Sequence, residues 1–343
     1  MDKIRFGIIG LGIMGQNYLE IYHSQNPVTR VNAIADLSEN MLKNVAGKFG
    51  IPEADSYSDY KKILERKDID AVVVATPDFA HTQIVLDALS AGKHVLVEKP
   101  LTISVKEADQ IVEAVNKTNL KLQVNYNHRW LSPYYEAKMQ VESGSIGKPL
   151  AAYARKNDTI YVSTEMLKWA SKSTPTFFLS AHDVDLVRWY FDSEPVEARA
   201  YGVKEVLVKK GIDTYDLIQG QVKFKNGSIA TFESGWIYPN TFPTIVDSFV
   251  EVIGANGHIH MDRKYESIEV SNEKSFTYPK TFLNKKIFGR IRGAFASALD
   301  SFVDCIVNDT DPIVKAFDGR QATAILEAIV RSADYGGEKI KIQ

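Results

Sequence analysis

The stretch Lys3-Ile4-Arg5-Phe6-Gly7-Ile8-Ile9-Gly10-Leu11-Gly12-Ile13-Met14-Gly15 decides the fold. It predicts a short apolar strand, a glycine turn and the first turn of a helix. Its glycines match the pattern G-x-G-x-x-G: Gly10 permits the tight turn, Gly12 lets the backbone approach a pyrophosphate, and Gly15 lets the helix pack close to the strand. The N–H groups at the start of the helix would face the phosphates. On its own the motif is weak, and an acid about 20 residues further on would strengthen it.

Such an acid is present at Asp36, directly after the predicted strand of residues 30–35. In a dinucleotide-binding fold, a carboxylate at this place accepts hydrogen bonds from the adenosine ribose and repels a 2′-phosphate. The residues that follow, Leu37-Ser38-Glu39, include no arginine that could bind such a phosphate. The pattern therefore favours NAD over NADP. The alternative is that Asp36 only caps the predicted helix of residues 39–49.

The composition is that of an ordinary globular chain, with 343 residues, 45% hydrophobic and 24% charged. A net charge of −2 without a basic stripe argues against nucleic acid as the main partner. Cys305 is the only cysteine, which excludes an internal disulfide and a C-x-x-C zinc site, and no metal site is predicted. The N-terminus leaves no room for a signal peptide, and no apolar run has the length of a membrane span. We therefore expect a cytoplasmic protein that binds no membrane.

Strand and helix patterns alternate over residues 1–125 and predict an α/β domain with a doubly wound parallel sheet. From residue 126 onward, strands instead follow one another, and Asn226-Gly227 and Asn256-Gly257 are hairpin turn signals between them. Residues 126–343 are therefore predicted to form a second, α+β domain with a mostly antiparallel sheet. Its other predicted elements include a strand at residues 150–154 and helices near residues 133–143, 178–190, 294–308 and 320–335.

Three loops follow the predicted parallel strands at their carboxyl ends, where ligands bind in open α/β sheets. They are residues 10–15, residues 76–81 and Glu98-Lys99-Pro100. A lysine such as Lys99, at a buried strand end near a bound cation, can have a lowered pKa and take part in proton transfer. The alternative is a solvated residue paired with Glu98. The Lys99–Pro100 peptide bond is a candidate for the cis form, although trans is the default.

Motifs spread over essentially the whole chain carry a resemblance to one family. They are Asp36, Ala75-Thr76-Pro77, His81, Glu98-Lys99-Pro100, Gly147-Lys148-Pro149, His182 and the closing Asp318-Gly319-Arg320 to Ser332-Ala333. They resemble the glucose–fructose oxidoreductase/inositol dehydrogenase (Gfo/Idh/MocA) family, and the Glu-Lys-Pro triplet is the most specific of them. The resemblance implies a Rossmann domain, then a domain whose large sheet makes the interface of a homodimer or homotetramer. It also implies hydride transfer between a nicotinamide and a carbinol.

The resemblance assigns the cofactor site residue by residue. Lys99 would contact both the nicotinamide ribose and the substrate. The predicted cofactor-binding residues are, in full, Gly10, Gly12, Ile13, Met14, Gly15, Asp36, Thr76, Pro77, His81, Glu98, Lys99 and Asn127.

A second cluster, His182, Asp183 and Asp185, opens a predicted amphipathic helix, on which His182 and Asp185 share a face. In the family that the chain resembles, a histidine at this position is the acid/base for the substrate hydroxyl, and a pKa near neutrality suits that task. Lys99, His182 and Asp185 are therefore the predicted catalytic residues. The alternative is a buried histidine near a helix start, with Asp183 and Asp185 stabilising the helix dipole.

The chain departs from the family pattern four residues before His182. Many relatives have an aspartate there, whereas this chain has Phe178, which can neither hydrogen-bond a hydroxyl nor orient an imidazole. Three consequences stay open: the site works with Lys99 and His182 alone, Asp185 contributes, or the hydride chemistry is altered or lost. Phe178 is also a candidate wall of an apolar substrate pocket.

The segment Asn125-Tyr126-Asn127-His128-Arg129-Trp130 is polar where a core strand would be apolar, so it is expected to line the ligand site. Asn127 is a candidate for the cofactor and Arg129 for the substrate. The predicted substrate-binding residues are Lys99, Arg129, Tyr161 and His182.

These patterns together predict an NAD-dependent oxidoreductase that acts on a secondary hydroxyl or ketone of a sugar, polyol or cyclitol. His182 would remove the hydroxyl proton, and Lys99 would stabilise the developing oxyanion. Two alternatives share the fold. One is a non-catalytic NAD(H)-binding sensor, which Phe178 makes conceivable, and the other is an NAD-bound glycosidase that oxidises and re-reduces its sugar.

Overall fold

A computed structural model of the chain describes residues 3–343 and contains two large sheets and two small hairpins. In chain order the strands are β1 (Ile4–Ile9), β2 (Thr29–Ala35), β3 (Ser56–Tyr57), β4 (Ala71–Val74), β5 (His94–Val97), β6 (Leu122–Val124), β7 (Pro149–Thr159), β8 (Pro195–Val203), β9 (Leu217–Phe224), β10 (Ile229–Tyr238), β11 (Val246–Gly254), β12 (His258–Asp262), β13 (Val270–Ser271), β14 (Phe276–Thr277), β15 (Lys285–Ile287), β16 (Arg290–Arg292) and β17 (Ile340–Lys341). The helices are α1 (Ile13–Leu19), α2 (Glu39–Phe49), α3 (Lys61–Leu64), α4 (His81–Ser90), α5 (Val105–Asn116), α6 (Ser132–Glu142), α7 (Ala181–Phe191), α8 (Ala294–Val307) and α9 (Ala316–Asp334).

The first large sheet has the strand order β3-β2-β1-β4-β5-β6, and every neighbouring pair is parallel. This is the strand order of a Rossmann fold, so the predicted doubly wound parallel sheet is confirmed. All four residues of β4 are fully buried, as expected of a central parallel strand with both faces covered. The carboxyl ends of β1, β2, β4 and β5 bring the predicted cofactor loops to one edge of the sheet.

The second large sheet has the order β12-β11-β7-β10-β9-β8-β17. The pair β7–β10 is parallel and the other neighbouring pairs are antiparallel, which confirms the mostly antiparallel sheet. Asn226-Gly227 lies in the turn between β9 and β10, and Asn256-Gly257 lies in the turn between β11 and β12. Both hairpin signals therefore correspond to hairpins.

The chain forms two compact units, and their division differs from the predicted one at residue 125. The first unit comprises the described residues up to Asn127 together with Asn284–Arg320, and the second comprises His128–Leu283 and Gln321–Gln343. The return of residues 284–320 to the first unit was not predicted. It has a clear physical cause, because Phe295 and Phe302 of α8 are fully buried in the hydrophobic core that contains Phe6 of β1.

Two elements near the predicted catalytic helix also differ from expectation. Strand β7 continues to Thr159 instead of ending at residue 154, because its polar side chains find buried partners. The helix predicted from residue 178 begins with a π-helical turn at Thr176–Ser180, and α7 follows directly.

Candidate functional site

The glycine turn joins β1 to α1 at the carboxyl edge of the parallel sheet. Gly10 has a φ of +90°, and a Cβ atom at this position would lie 2.6 Å from the carbonyl oxygen of Ala75. A Cβ atom on Gly15 would lie 1.9 Å from the carbonyl oxygen of Gly10. A Cβ atom on Gly12, in contrast, would meet no atom within 4 Å. The fold itself therefore requires Gly10 and Gly15, whereas Gly12 keeps the backbone open to an approaching ligand.

The first turn of α1 follows this opening directly. The side chain of Ile13 is 67% exposed, and that of Met14 packs against the core of the first unit. No side chain caps the amino terminus of α1. The N–H groups of a first helical turn carry a partial positive charge, so an anionic group would be stabilised here.

The carboxylate of Asp36, at the end of β2, is fixed by two backbone hydrogen bonds. The N–H of Leu11 donates to Oδ2 at 2.8 Å, and the N–H of Ser38 donates to Oδ1 at 2.9 Å. The side chain that caps α2 is Ser38, whose Oγ accepts a hydrogen bond from the N–H of Met41 at 3.3 Å. The interpretation of Asp36 as the cap of this helix is therefore wrong. A carboxylate can accept about four hydrogen bonds, so Asp36 keeps capacity for ribose hydroxyls.

His81 links the loop after β4 to the loop after β5. Its ring is almost completely buried, with Nδ1 2.9 Å from the carbonyl oxygen of Pro100 and Nε2 3.0 Å from that of Thr76. Pro77 follows Thr76 and lies directly before a short helical turn. Because both ring nitrogens face carbonyl oxygens of the chain, His81 holds the two loops in place. Its contact with the cofactor stays a prediction.

Glu98 is held by a buried hydrogen-bond network beside Lys99. The hydroxyl of Tyr18 donates to Glu98 Oε1 at 2.6 Å, and the amide of Asn125 donates to the same oxygen at 3.1 Å. The backbone N–H of Lys99 donates to Glu98 Oε2 at 3.2 Å. The peptide bond between Lys99 and Pro100 is cis. The network thus fixes the backbone from which the Lys99 side chain extends.

Several buried side-chain oxygens of the first unit lack a hydrogen-bond partner among the described residues. They include Oγ1 of Thr76 and Oδ1 of Asn127, as well as Oε1 of Gln123 and Oδ1 of Asn125. An unsatisfied buried polar atom is costly, and a bound polar ligand would satisfy it. Together with the opening at Gly12 and the remaining acceptor capacity of Asp36, the oxygens of Thr76 and Asn127 fit a dinucleotide cofactor.

In the second unit, His182 stacks on another histidine. The ring centroids of His182 and His128 are 3.8 Å apart, and their planes differ by 10°. His182 lies in the first turn of α7 and is partly exposed, whereas His128 is buried. The structure therefore brings a predicted catalytic residue together with a residue of the polar segment that was expected to line the ligand site.

Two buried ion pairs flank His182 on α7. Lys156 Nζ lies 2.8 Å from Oδ1 of Asp183, and Arg129 donates to Asp185 from Nε at 2.9 Å and from Nη2 at 2.6 Å. Burial lowers the pKa of Lys156, and the adjacent Asp183 carboxylate counteracts that shift. The pairing joins a predicted catalytic residue, Asp185, to a predicted substrate residue, Arg129, and both roles stay predictions.

Lys156 was only a minor candidate for the ligand site from the sequence, and Asp183 was predicted only to stabilise the helix dipole, so neither had a predicted catalytic or binding role. A signal was available in the sequence, since residues 155–159 are all polar where the strand should alternate, and residues 156–159 prove to be buried. Asn157 continues this run, and its amide donates to Oε1 of Glu233 at 2.7 Å. Buried polar side chains need hydrogen-bond partners, and here the acids Asp183 and Glu233 supply them.

Tyr161, a predicted substrate-binding residue, and Phe178, the departure from the family pattern, lie outside these buried ion pairs. Tyr161 is 41% exposed, and its backbone N–H donates to the side chain of Asn240 at 3.1 Å. Phe178 lies in the π-helical turn before α7, where its ring packs 6.1 Å from that of Trp169 and 6.2 Å from that of Trp236, measured between centroids. The structure thus places Phe178 among aromatic side chains, and Tyr161 at the N-cap of the π-helical turn Val162–Met166.

Within residues 3–343, no cluster of three or more histidine, cysteine, aspartate or glutamate side chains is arranged to hold a metal ion. The same residues contain no helix with the length and apolar character needed to span a membrane.

Two models of one oxidoreductase family match this chain. The model described as "Oxidoreductase family, NAD-binding Rossmann fold" matches residues 4–126, and that described as "Oxidoreductase family, C-terminal alpha/beta domain" matches residues 138–342. The chain belongs to this family. The Gfo/Idh/MocA resemblance is thereby confirmed, and so is NAD as the cofactor of its Rossmann fold.

Several family members are similar to the chain over their whole length. Myo-inositol 2-dehydrogenase of Thermotoga maritima is 27% identical to it, covering 96% of each chain. The scyllo-inositol 2-dehydrogenase (NAD(+)) of Bacillus subtilis is also 27% identical, covering 92% of this chain and 90% of the relative. The structure of scyllo-inositol dehydrogenase from Lactobacillus casei, with bound NAD(H) and scyllo-inositol, superposes with a TM-score of 0.84 at 23% identity over 99% of each chain. That likeness concerns the fold.

Proposed function

We propose that the chain is an NAD-dependent dehydrogenase that oxidises a secondary hydroxyl group of a cyclitol, or of a related sugar or polyol, or reduces the corresponding ketone. The observation that carries the proposal is whole-length similarity to two inositol dehydrogenases, one of them named as NAD(+)-dependent. The buried polar groups of the second unit support it, because a ligand rich in hydroxyl groups needs many hydrogen-bonding partners.

The first unit supplies the cofactor site. The first-turn N–H groups of α1, beside Gly12, would bind the pyrophosphate, and Asp36 would accept hydrogen bonds from the adenosine ribose. The buried oxygens of Thr76 and Asn127 would be satisfied by the bound cofactor. Bound NAD would supply the hydride acceptor for oxidation of the carbinol to the ketone.

Proton transfer is assigned to two residues of the chain. His182 takes the proton of the substrate hydroxyl, and the ammonium group of Lys99 stabilises the negative charge that develops on the same oxygen. The ion pairs of Asp183 and Asp185 support the first turns of α7, from which His182 extends. We propose that Arg129 and Asp185 position this helix, while direct contacts of Arg129, Asp185 and Tyr161 with the substrate stay predictions.

Substitution of the two proposed residues tests the mechanism. Lys99→Ala and His182→Gln should each lower turnover of an inositol by about a hundred- to ten-thousandfold, because a positioned acid or base contributes that much. Both variants should still bind NADH. Lys209→Ala and His258→Gln are matched controls at exposed positions and should turn over normally.

The same experiment separates the alternatives. Tight binding of NADH without turnover of any inositol, sugar or polyol would favour a sensor over a dehydrogenase. Cleavage of a glycoside without net formation of NADH would favour an NAD-bound glycosidase. A cytoplasmic location and a homodimer or homotetramer through the C-terminal sheet also stay predictions, and light scattering of the purified chain tests the oligomer.

A further inference from the structure

A group of partly exposed apolar side chains in the second unit includes Phe178, which lies four residues before His182. We call it the apolar face, and its members are Ile160, Leu167, Trp169, Phe178, Ile212 and Ile237. All but Trp169 pack against a small buried core that contains Trp236, and the ring of Trp169 packs on that of Phe178. Phe178 connects the apolar face to the proposed catalytic helix, since it lies in the π-helical turn that leads directly into α7.

Phe178 and His182 are four residues apart on continuous helical backbone, so their side chains leave the same side of it. The orientation of the Phe178 ring is fixed by its neighbours: the Trp169 ring meets it edge-on at an interplanar angle of 72°, and the Trp236 ring is tilted by 38°. A group bound at His182 is therefore next to a rigid aromatic surface.

The apolar face offers little to a hydroxyl group. Five of its six side chains have no donor or acceptor, and the indole N–H of Trp169 is the exception. In the core beneath, the indole N–H of Trp236 already donates to the carbonyl oxygen of Tyr215 at 2.7 Å. A hydroxyl pressed against this surface would lose its water without gaining a partner, which is unfavourable. A methyl or methylene group in the same place would gain from leaving water.

We propose that the apolar face selects a cyclitol or polyol that carries an apolar group, either a methyl ether or a deoxy carbon, beside the carbon that is oxidised. The proposal rests on the proposed function and names the substrate class of that site. One methylene in an apolar pocket changes selectivity by about 10- to 200-fold. The kcat/KM of the substituted substrate should exceed that of its parent polyol by a factor within that range.

Ligand binding tests the selectivity without requiring turnover. The protein is saturated with NADH and titrated with myo-inositol, with each of its mono-O-methyl ethers and with its deoxy derivatives, while the heat of binding is measured by titration calorimetry. At least one derivative should bind about tenfold or more tightly than myo-inositol. If every derivative binds as weakly as myo-inositol or more weakly, the proposal is overturned.

Variants of Phe178 assign the effect to the apolar face. Phe178→Asn should abolish the preference for the derivative, and Phe178→Tyr, which adds one hydroxyl to the same ring, should reduce it. Phe276→Asn is the matched control, because Phe276 is a 45% exposed phenylalanine of the same unit that packs on Tyr278. The melting temperature of Phe178→Asn shows whether this variant is folded. If its melting temperature equals that of the wild-type chain and it keeps the full preference for the derivative, the proposal is overturned.

Reduction of NAD by the same ligands separates this proposal from the proposed function. If myo-inositol and its derivatives are turned over with equal kcat/KM, the selectivity of the apolar face is contradicted and the dehydrogenase function stands. A binding preference that Phe178→Asn removes, without formation of NADH by any ligand, would support the apolar face and contradict the dehydrogenase.

Discussion

Arg129 and Asp185 form a doubly hydrogen-bonded ion pair whose side chains are only 6% and 1% exposed. The guanidinium also lies over the ring of Trp189, with Cζ 5.3 Å from the ring centroid. Removing one partner of such a pair leaves an uncompensated buried charge. Arg129→Met should therefore lower the free energy of unfolding by about 3–5 kcal/mol, measured by urea denaturation.

The double variant Arg129→Met, Asp185→Leu is the control, since it removes both charges and fills a similar volume. Its loss of stability should be clearly smaller than that of Arg129→Met. Equal losses in the single and double variants would show that packing, and not the isolated charge of Asp185, accounts for the effect.

Tyr18 positions the backbone of Lys99 through its hydrogen bond to Glu98. Burial, reinforced by the adjacent Glu98 carboxylate, raises the pKa of Tyr18 well above its usual value, so the hydroxyl remains a donor. Tyr18→Phe should lower stability by about 1.5–3 kcal/mol, as expected for a hydrogen bond to a charged group. It should also lower kcat more than it raises the KM for NAD.

Tyr22→Phe is the matched control for this prediction. Tyr22 is equally buried, but its hydroxyl donates to the backbone oxygen of Leu299 at 3.0 Å, away from Lys99. It should lose about 0.5–1.5 kcal/mol of stability and keep its kcat. A similar fall of kcat in both variants would contradict a positioning role for Tyr18.

Asp36 should determine the choice between NAD and NADP. Asp36→Asn keeps a side-chain acceptor but removes the negative charge that repels a 2′-phosphate. The loss of charge-assisted hydrogen bonds, about 1.5–3 kcal/mol, corresponds to roughly 10- to 150-fold weaker binding of NAD. Titration calorimetry with NAD and NADP measures both affinities, with Glu53→Gln as an exposed control. If Asp36→Asn leaves the ratio of the NAD affinity to the NADP affinity unchanged, Asp36 does not determine the choice of cofactor.

Arg5 and Asp70 should give the first unit a measurable acid sensitivity. Hydrogen bonds from Arg5 hold the pKa of Asp70 below its usual value of about 3.9. Because the folded-state pKa is lower than the unfolded one, the pair stabilises the fold above pH ~3.9, and the contribution disappears as the pH falls through the folded-state pKa. The side chains are 31% and 36% exposed, so the contribution should be about 0.2–1 kcal/mol.

Asp70→Asn tests this pair. Its urea midpoint should lie below that of the wild-type chain at pH 7, and the two midpoints should converge as the pH falls toward 2. A difference that stays constant over this range would mean that the charge of Asp70 does not contribute.

Local sequence patterns predicted much of the first unit. The strand at β1, the glycine turn and the start of α1 are neighbours along the chain, so their period and spacing can be recognised directly. Asp36 was found in the same way, at the end of the next strand. The hairpins at Asn226-Gly227 and Asn256-Gly257 follow from the backbone conformations that such turns require.

Features made by distant residues could not be recognised in this way. Arg129 and Asp185 are 56 positions apart, and neither residue type indicates its partner. Strand β7 was predicted too short because Lys156 and Asn157 resemble exposed residues until their partners Asp183 and Glu233 are known. The return of α8 to the first unit depends on its packing against Phe6. No local sequence pattern indicates a contact between residues so far apart along the chain.

The placement of α8 has a consequence for the order in which the chain folds during its synthesis. The ring of Phe302 packs 6.4 Å from that of Phe6, measured between centroids, so the core of the first unit joins residues that are far apart along the chain. At about 5–20 residues per second, a ribosome needs roughly 10–35 s to proceed from residue 127 to residue 303. During that interval the nascent chain exposes the apolar surface that α8 later covers. Chaperones that bind nascent chains should therefore engage the residues up to 127 until α8 has emerged.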